Sequence, residues 1–384
     1  MARICFVAGD PSGDLHAAHL IDALRRRDPS LSVTALGGAA MQQAGAQLLQ
    51  DLTASAAIGP FDAAQHLGSF IRARRRLDAH LAADRPDAVI LVDFGDFNLP
   101  FIAPLVKRRG IPVLYYISPQ LWAWGGWRLR YVQRYVDRML VLFPFEERLY
   151  REAGVPVTWV GHPLVESARP SISPAEAMQR FGLNPWRRTV GLLPGSRERE
   201  LSRHLPLMLG AARTLAWHMP GLQFLIPKAP SVSREAIEAH VRRGLPSAVI
   251  AEGRMADLLQ VMDVAAVASG TATLEAALGR VPMAVVYRAS WPTYAMAKLV
   301  LRTPHIGLVN VVAGRRVVPE LIQRQARPST LAHELLALLR NDEARAGMRQ
   351  RLGELAKELG EPGAVDRAAE AVRELLATTA AGRS

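Results

Sequence analysis

Short runs of β-branched and other apolar residues recur along the chain, and a helical pattern separates each run from the next. In the first half these runs lie at residues 4–7, 32–36, 88–92, 113–117, 139–143 and 157–160. Strands that alternate with helices predict a parallel sheet covered by helices on both faces. This alternation excludes all-helical and all-β folds.

The same pattern restarts after a break. Residues 162–186 interrupt it with Pro163, Pro170, Pro174 and Pro185, and new runs follow at 190–193, 222–226, 249–251, 264–268 and 283–287. We therefore predict an α/β protein of the GT-B type, in which two doubly wound Rossmann-like domains, residues 1–167 and 168–359, face a cleft. The tail is helical from about residue 331. By analogy with that architecture, residues 360–384 are expected to pack back on the first domain.

The net charge of the chain limits the kinds of molecule that it can be expected to bind. The 384 residues carry a net charge of +12, which suits nucleic acid, an anionic membrane surface or phosphorylated substrates. No RNA- or DNA-binding motif occurs and the arginines are dispersed, so we expect no nucleic acid partner. The single cysteine, the absence of a signal-like start and the lack of a long apolar stretch predict a cytoplasmic protein, soluble or peripheral on the inner membrane.

Polar and glycine-rich loops follow two strands of the first half. Residues 7–14 run from a strand through Gly9 and Gly13 into a helix, which Ser12 or Asp14 could cap with its N-terminus towards a ligand. The plainer alternative is a capped turn. After the strand at 88–92, Asp93, Asp96 and Asn98 lie where open parallel sheets bind ligands. Asp96 is the stronger candidate for a general base, and a strand-terminating Asx turn is the alternative.

Three tryptophans within residues 122–127 form an aromatic segment that begins at Ser118. Aromatic faces pack against sugar rings and acyl chains, and tryptophan favours membrane interfaces. A hydrophobic plug on the domain surface is the alternative interpretation. In the second half, Gly195, Ser196 and Arg197 form one loop and residues 268–275 form another. Both place backbone N–H groups at helix starts, and although each loop alone could serve packing, the two together favour a diphosphate and therefore a UDP site.

These motifs occur in the same order as in the lipid-A-disaccharide synthase family, which the chain resembles along most of its length. The family patterns A-G-E-x-S-G-D, D-x-P-D-F-N, S-P-x-x-W-A-W, G-H-P, L-P-G-S-R and S-G-T-A-T-L-E correspond to residues 8–14, 93–98, 118–124, 161–163, 193–197 and 269–275. Residues 310–315 and 318–321 continue the match. Asp10, Pro11, Gly95 and Val309 replace the usual Glu, Ala, Pro and Pro.

The resemblance implies an inverting hexosyltransferase without a cofactor or required metal. It would join UDP-2,3-diacylglucosamine to 2,3-diacylglucosamine 1-phosphate and release UDP. Asp96 would be the base, Arg197 would stabilise UDP, and Asp10 and Asp14 are secondary catalytic candidates. Further substrate-binding candidates are Ser12, Gly13, His16, Asp93, Asn98, Ser118, Trp122, Trp124, Gly195, Ser196, Ser269, Gly270, Thr271, Glu275, Arg288 and Asn310.

A basic and partly apolar helix is predicted near residues 61–81. Phe70, Ile71, Arg72 and Arg75 are the candidates for contact with an anionic inner membrane, and a solvated charged face is the alternative. The competing functions are another GT-B UDP-sugar enzyme, resembling a UDP-GlcNAc epimerase or a peptidoglycan glycosyltransferase, and a non-catalytic lipid-binding relative. The sequence leaves a homodimer open.

Overall fold

The computed structural model describes residues 2–53, 63–245, 247–300 and 303–381. The chain divides into two compact units. The first unit contains the residues up to Pro163 together with those from Gly360 onward, and the second unit is Leu164–Leu359.

The first unit contains a parallel sheet with strand order β3-β2-β1-β4-β5-β6-β7 among its described residues. Its strands are β1 (Arg3–Ala8), β2 (Ser32–Gly37), β3 (Gln47–Asp51), β4 (Ala88–Val92), β5 (Val113–Tyr116), β6 (Arg138–Val141) and β7 (Val157–Trp159). Its helices are α1 (Pro11–Arg27), α2 (Ala39–Gln43), α3 (Ala63–Ala83), α4 (Gly95–Phe97), α5 (Ala103–Arg108), α6 (Leu129–Tyr135) and α7 (Pro144–Glu152). A π-helical turn spans Asn98–Ile102. The central strand β4 is buried along its whole length, as its uninterrupted apolar sequence requires.

The second unit contains another parallel sheet, with strand order β10-β9-β8-β11-β12-β13 among its described residues. Its strands are β8 (Thr189–Leu193), β9 (Gln223–Pro227), β10 (Val249–Ala251), β11 (Val264–Ala268), β12 (Met283–Tyr287) and β13 (Glu320–Ile322). Its helices are α8 (Leu164–Ser167), α9 (Pro174–Arg180), α10 (Glu198–His218), α11 (Arg234–Gly244), α12 (Met255–Leu259), α13 (Ala272–Leu278), α14 (Trp291–Val300), α15 (Leu308–Val312), α16 (Pro328–Arg340) and α17 (Asp342–Glu358).

The last helix, α18 (Ala364–Ala381), packs on α1 in the first unit. Its inward face is built from small residues such as Ala368 and Ala369, which are fully buried. Asp366 pairs with Arg27 at 2.7 Å, and the Arg367 Nε donates to the Val160 carbonyl at 2.8 Å. The C-terminal segment therefore completes the first unit.

Two strong expectations about the fold are confirmed, namely the α/β class and the two doubly wound parallel sheets. The edge strands β3 and β13 were missed, because β3 is polar at both ends and β13 has only three residues. The start of α1 was also predicted wrongly. Pro11 begins the helix, and the Asp10 carboxylate caps it by accepting from the Gly13 N–H at 3.1 Å. Among the described residues, no helix is long and apolar enough to span a bilayer.

Candidate active site

The turn after β4 brings polar side chains to the carboxyl edge of the first sheet. Asp93 and Phe94 both have positive φ angles, 45° and 50°, which reverse the chain directly after the buried strand. This left-handed conformation costs non-glycine residues roughly 1 kcal/mol each. Gly9, directly after β1, admits the Phe94 ring, since a Cβ there would clash with that ring. The two predicted motifs therefore meet at one edge.

Asp96 lies on this turn and forms an ion pair with Arg128. The Asp96 side chain is 67% exposed, whereas that of Arg128 is 3% exposed. The Arg128 guanidinium lies 3.9 Å from the centroid of the Trp124 ring and donates through Nη2 to the Asp96 Oδ1. The Asp96 Oδ2 has no hydrogen-bond partner among the described residues. A buried cation thus holds one carboxylate oxygen and leaves the other available.

Asp93 is a partly buried carboxyl group of this edge. Burial raises its pKa to about 7, and the nearby charges of Asp10 and then Asp96 add to the effect. Three carboxyl groups therefore influence one another at the ends of β1 and β4. The Tyr115 hydroxyl donates to the backbone carbonyl of Asp93 and helps to fix the turn.

Several predicted site residues serve the structure instead. The Asp14 carboxylate accepts from the N–H groups of Gly38, Ala40 and Met41 at 2.8, 2.9 and 3.3 Å, so it caps α2. Asn98 is fully buried, and its Nδ2 donates to the Asp93 carbonyl at 2.9 Å. These contacts give Asp14 and Asn98 structural roles, although the Asn98 Oδ1 has no hydrogen-bond partner among the described residues, and their expected roles in catalysis and substrate binding stay predictions.

The first turns of α1 carry Ser12, which is exposed, and His16, which is largely buried. Burial, followed by the charge of His19, lowers the pKa of His16 to about 4. The His16 Nδ1 has no hydrogen-bond partner within the described residues. Burial and the charge of His16 together lower the pKa of His162 to about 3. Two neutral imidazoles therefore lie near each other in this unit.

Most side chains of the tryptophan segment pack against the rest of the first unit. Ser118 is buried, with its Oγ 2.7 Å from the Tyr150 hydroxyl. Trp122 is half-buried and donates through Nε1 to the Glu146 carboxylate at 3.2 Å. Burial raises the pKa of Glu146 to about 7. Ser118 therefore has a structural contact. Of the three tryptophans in this segment, Trp127 is the exposed one.

On the basic helix α3, Ile71, Arg72 and Arg75 are exposed. Phe70 is different, because its ring packs 5.1 Å from Phe97 and 5.8 Å from Phe94, between centroids. Phe70 is therefore partly buried against the core, and its interpretation as a membrane contact stays a prediction. The aromatic cluster reaches the surface at Phe101, whose ring is 6.1 Å from Phe97 and is half exposed.

In the second unit, the loop after β8 turns at Gly195, whose φ is 114°. Arg197 precedes α10, and its side chain is 81% exposed and 3.8 Å from the Glu200 carboxylate. The Ser196 N–H donates to the Glu200 Oε2 at 3.0 Å. The Ser196 N–H, which the sequence predicted to be available to a diphosphate, is therefore already hydrogen-bonded to Glu200. The Arg197 guanidinium, in contrast, extends into solvent.

The loop after β11 is more open. Gly270 has a φ of 151° with free space around it, and Thr271 is exposed. The Ser269 hydroxyl donates to the Ile306 carbonyl at 2.9 Å. Burial raises the pKa of Glu275, whose carboxylate makes no hydrogen bond or ion pair in the part of the chain described. Of the two acidic groups, Glu200 and Glu275, the Glu275 carboxylate is therefore better placed to bind the hydroxyls of a ligand.

Asn310 has no spare hydrogen-bonding atom. Its Oδ1 accepts from the N–H groups of Val317 and Val318 at 2.7 and 3.0 Å. Its Nδ2 donates to the Val318 carbonyl at 2.9 Å and to the Glu320 carboxylate at 2.8 Å. Asn310 therefore has a structural role, and its expected contact with the nucleotide stays a prediction.

A residue that joins two of these loops, and that the sequence did not reveal, is His204 on α10. It is buried, with Nδ1 3.0 Å from the Pro194 carbonyl and Nε2 accepting from the Arg288 N–H at 3.1 Å. Burial lowers its pKa, so the neutral ring joins the loops after β8 and β12. A lone histidine in an amphipathic helix gives no sequence signal of this role. No group of three or more His, Cys, Asp and Glu residues in the described ranges could hold a metal ion.

Two doubly wound parallel sheets, each with glycine-containing or acidic loops at its carboxyl edge, define the GT-B class of α/β proteins. The fold is similar to that of a putative UDP-N-acetylglucosamine 2-epimerase from Listeria monocytogenes, with a TM-score of 0.64 and 15% identity, covering 97% of this chain and 95% of that one. It is also similar to the calicheamicin glycosyltransferase CalG4, with a TM-score of 0.61 and 15% identity, covering 98% of both chains.

Sequence comparison defines the family within this class. Residues 4–375 match the family described as lipid-A-disaccharide synthetase. The chain is 42% identical to the lipid-A-disaccharide synthase of Geobacter metallireducens and 44% identical to that of Myxococcus xanthus, in both cases over 97% of both chains. The chain belongs to the lipid-A-disaccharide synthase family, which confirms the resemblance found in its motifs.

Proposed function

We propose that the protein joins UDP-2,3-diacylglucosamine to 2,3-diacylglucosamine 1-phosphate, forming a β-linked disaccharide 1-phosphate and UDP in lipid A biosynthesis. Family membership supports the reaction class. The observation that carries the chemistry is the Asp96 carboxylate, which is held at the sheet edge by buried Arg128 with one oxygen free. A group in this state can accept a proton from an attacking hydroxyl.

In the proposed mechanism, Asp96 takes the proton of the acceptor's 6-hydroxyl as that oxygen attacks the anomeric carbon of the donor. The bond from the anomeric carbon to the UDP oxygen breaks, and UDP leaves with the electron pair. Direct displacement inverts the anomeric configuration. Asp93 is the second candidate for the base, since burial raises its pKa to about 7, close to the working pH, and Asp96 is preferred because its carboxylate is exposed at the sheet edge.

The second unit supplies the groups that bind UDP in this proposal. The exposed guanidinium of Arg197 and the N–H groups of Gly270 and Thr271 stabilise the diphosphate as its charge grows. Glu275 accepts from the ribose hydroxyls, since its half-buried carboxylate has no partner among the described residues. No metal ion is required by these contacts.

Acylated substrates require access to a lipid surface. Ile71, Phe101 and Trp127 of the first unit are 44, 52 and 50% exposed, and Arg72 and Arg75 are exposed on α3. Exposed apolar groups beside basic ones favour an anionic interface. We therefore propose a peripheral position on the cytoplasmic face of the inner membrane. A homodimer stays a prediction, which light scattering at several protein concentrations can test.

The experiment measures UDP release in mixed micelles without added metal, with and without the acylated glucosamine 1-phosphate acceptor. Wild type is compared with Asp96→Asn and with Asp22→Asn, an exposed carboxylate on α1. We expect acceptor-dependent release that falls by about 10³-fold in Asp96→Asn and is unchanged in the control. Turnover of plain UDP-GlcNAc without release from the acylated donor would refute the proposed substrates. Full activity of Asp96→Asn would refute the base assignment.

A further inference from the structure

A cavity of about 620 Å³ lies in the second unit, beside the ends of β12 and β13. Its walls come from the first turns of α10 and from the loops after the two strands. Four of the lining residues are arginines, namely Arg203, Arg288, Arg324 and Arg327, and we call this cavity the arginine pocket.

The positive charge of the arginine pocket is not neutralised within the protein. No acidic residue is among the described residues that line it. None of the four guanidinium groups makes a hydrogen bond or ion pair with the part of the chain described. Some arginines elsewhere are paired, as Arg109 is with Asp78 and Arg345 is with Asp342, and others such as Arg213 are exposed and have no partner among the described residues, so what distinguishes the arginine pocket is that four of them surround one cavity. Four like charges around one cavity repel one another, so an anion that entered it would relieve that repulsion.

The backbone that carries these arginines is fixed by buried side chains. The Gln323 amide accepts from the Ala289 N–H at 2.8 Å and donates to the Ala289 carbonyl at 3.1 Å, which joins the loops after β12 and β13. His204 accepts from the Arg288 N–H at 3.1 Å, which joins the loop after β12 to α10. The three walls are therefore held together by hydrogen bonds that do not involve the guanidinium groups.

An aromatic face completes the arginine pocket. Trp291 lines it and is 56% exposed, and the Arg324 guanidinium lies 5.4 Å from the centroid of its ring. A flat apolar surface beside several cations suits a phosphate attached to a sugar ring or to a lipid.

The arginine pocket is separate from the loops proposed to bind UDP. Those loops follow β8 and β11, and none of the groups proposed above to bind UDP lines the pocket, whereas Arg288, which the sequence suggested for substrate binding, does. We propose that the arginine pocket is a second anion site, which binds the phosphate of a ligand other than UDP. Two sources carry this chemistry, a sugar 1-phosphate and the head group of an anionic phospholipid. The sugar 1-phosphate has the chemistry of the proposed acceptor, so that source rests on the proposed function, whereas the phospholipid source does not.

The test compares wild type with Arg324→Gln/Arg327→Gln and with the matched control Arg213→Gln/Arg349→Gln, which removes two exposed arginines of the same unit outside the pocket. Each protein is saturated with UDP. Glucosamine 1-phosphate is then titrated calorimetrically, and vesicles of phosphatidylglycerol or phosphatidylcholine are tested by cosedimentation. UDP affinity is measured separately, and circular dichroism verifies folding.

For at least one of the two phosphate sources, we expect binding to weaken by about tenfold in Arg324→Gln/Arg327→Gln and to change less than about twofold in the control. UDP affinity should be the same in all three proteins. Arg203→Gln, on a different wall, should weaken the same ligand. The ligand that responds identifies the source. The proposal fails if both ligands bind the pocket variant and the control equally, or if UDP abolishes their binding to wild type. Loss of transferase activity alone would bear on the proposed reaction, since these measurements involve no turnover.

Discussion

Arg128 lies buried against the Trp124 ring and donates to the carboxylate of Asp96, which is 32 positions earlier in the chain. The pair links the tryptophan segment to the turn after β4. A buried guanidinium is costly unless it is paired, and stacking on an aromatic face adds about 1 to 2 kcal/mol. The position of Asp96 is therefore determined by a residue for which the sequence suggested no role.

Replacing Arg128 with Lys should lower kcat by about 10- to 100-fold and change KM little. An ammonium group cannot stack on Trp124 and hold the Asp96 carboxylate at the same time, so the base loses its orientation. Steady-state kinetics in mixed micelles measure both constants. A variant with wild-type kcat would show that the pair does not position the base.

The same relationship predicts non-additive effects. In the Asp96→Asn background, Arg128→Lys should change kcat by less than about twofold, because the group that Arg128 orients has already been lost. The double-mutant cycle separates positioning from a general loss of stability, which would lower activity in both backgrounds. Equal effects in the two backgrounds would assign Arg128 to stability alone.

The raised pKa of Asp93 predicts that the stability of the protein depends on pH. Its pKa is about 7 in the folded protein and has a reference value of 3.8, so between these values the unfolded chain binds fewer protons. Stability therefore declines as pH rises from about 4 to about 7. In Asp93→Asn this contribution disappears, and asparagine tolerates the positive φ of this position.

Urea unfolding at several pH values measures the effect of Asp93→Asn. Wild type should lose about 1 to 3 kcal/mol more than this variant between pH 5 and pH 7.5, given about 1.4 kcal/mol for each tenfold change in proton affinity. Asp22→Asn, on the exposed face of α1, should follow wild type. If the free energy of unfolding depended on pH in the same way in wild type and in Asp93→Asn, the raised pKa would be contradicted.

The fold was largely predictable because its central strands are continuous apolar runs, such as the fully buried residues of β4 and β11. The loops at the carboxyl edges were predictable for the same reason, since they follow those strands. The roles of individual polar residues could be predicted less well from the sequence. Asp14 looked like a ligand-binding acid, yet its partners are the N–H groups of α2, 24 or more positions away. Such pairings arise from tertiary packing, which local sequence does not encode.

Replacing Asn310 with Ala should destabilise the second unit by about 2 to 4 kcal/mol and leave the KM for the UDP-sugar nearly unchanged. Four hydrogen bonds are lost, and buried N–H groups of Val317 and Val318 are left without a partner. Asn341→Ala, which removes the cap of α17, should cost only about 1 kcal/mol. A raised KM at unchanged stability would restore the nucleotide-binding role.

The exposed apolar groups of the first unit predict how the protein binds membranes. The double variant Ile71→Ser/Phe101→Ser should bind phosphatidylglycerol vesicles about five- to tenfold more weakly, because each side chain would no longer transfer apolar surface into the interface. Trp186→Ser/Trp217→Ser is the matched control, since these tryptophans are 92 and 79% exposed on the second unit. Cosedimentation at fixed ionic strength measures the partition coefficient. If the control variant lost as much affinity as Ile71→Ser/Phe101→Ser, binding would follow overall surface hydrophobicity, and the first unit would not be the membrane contact.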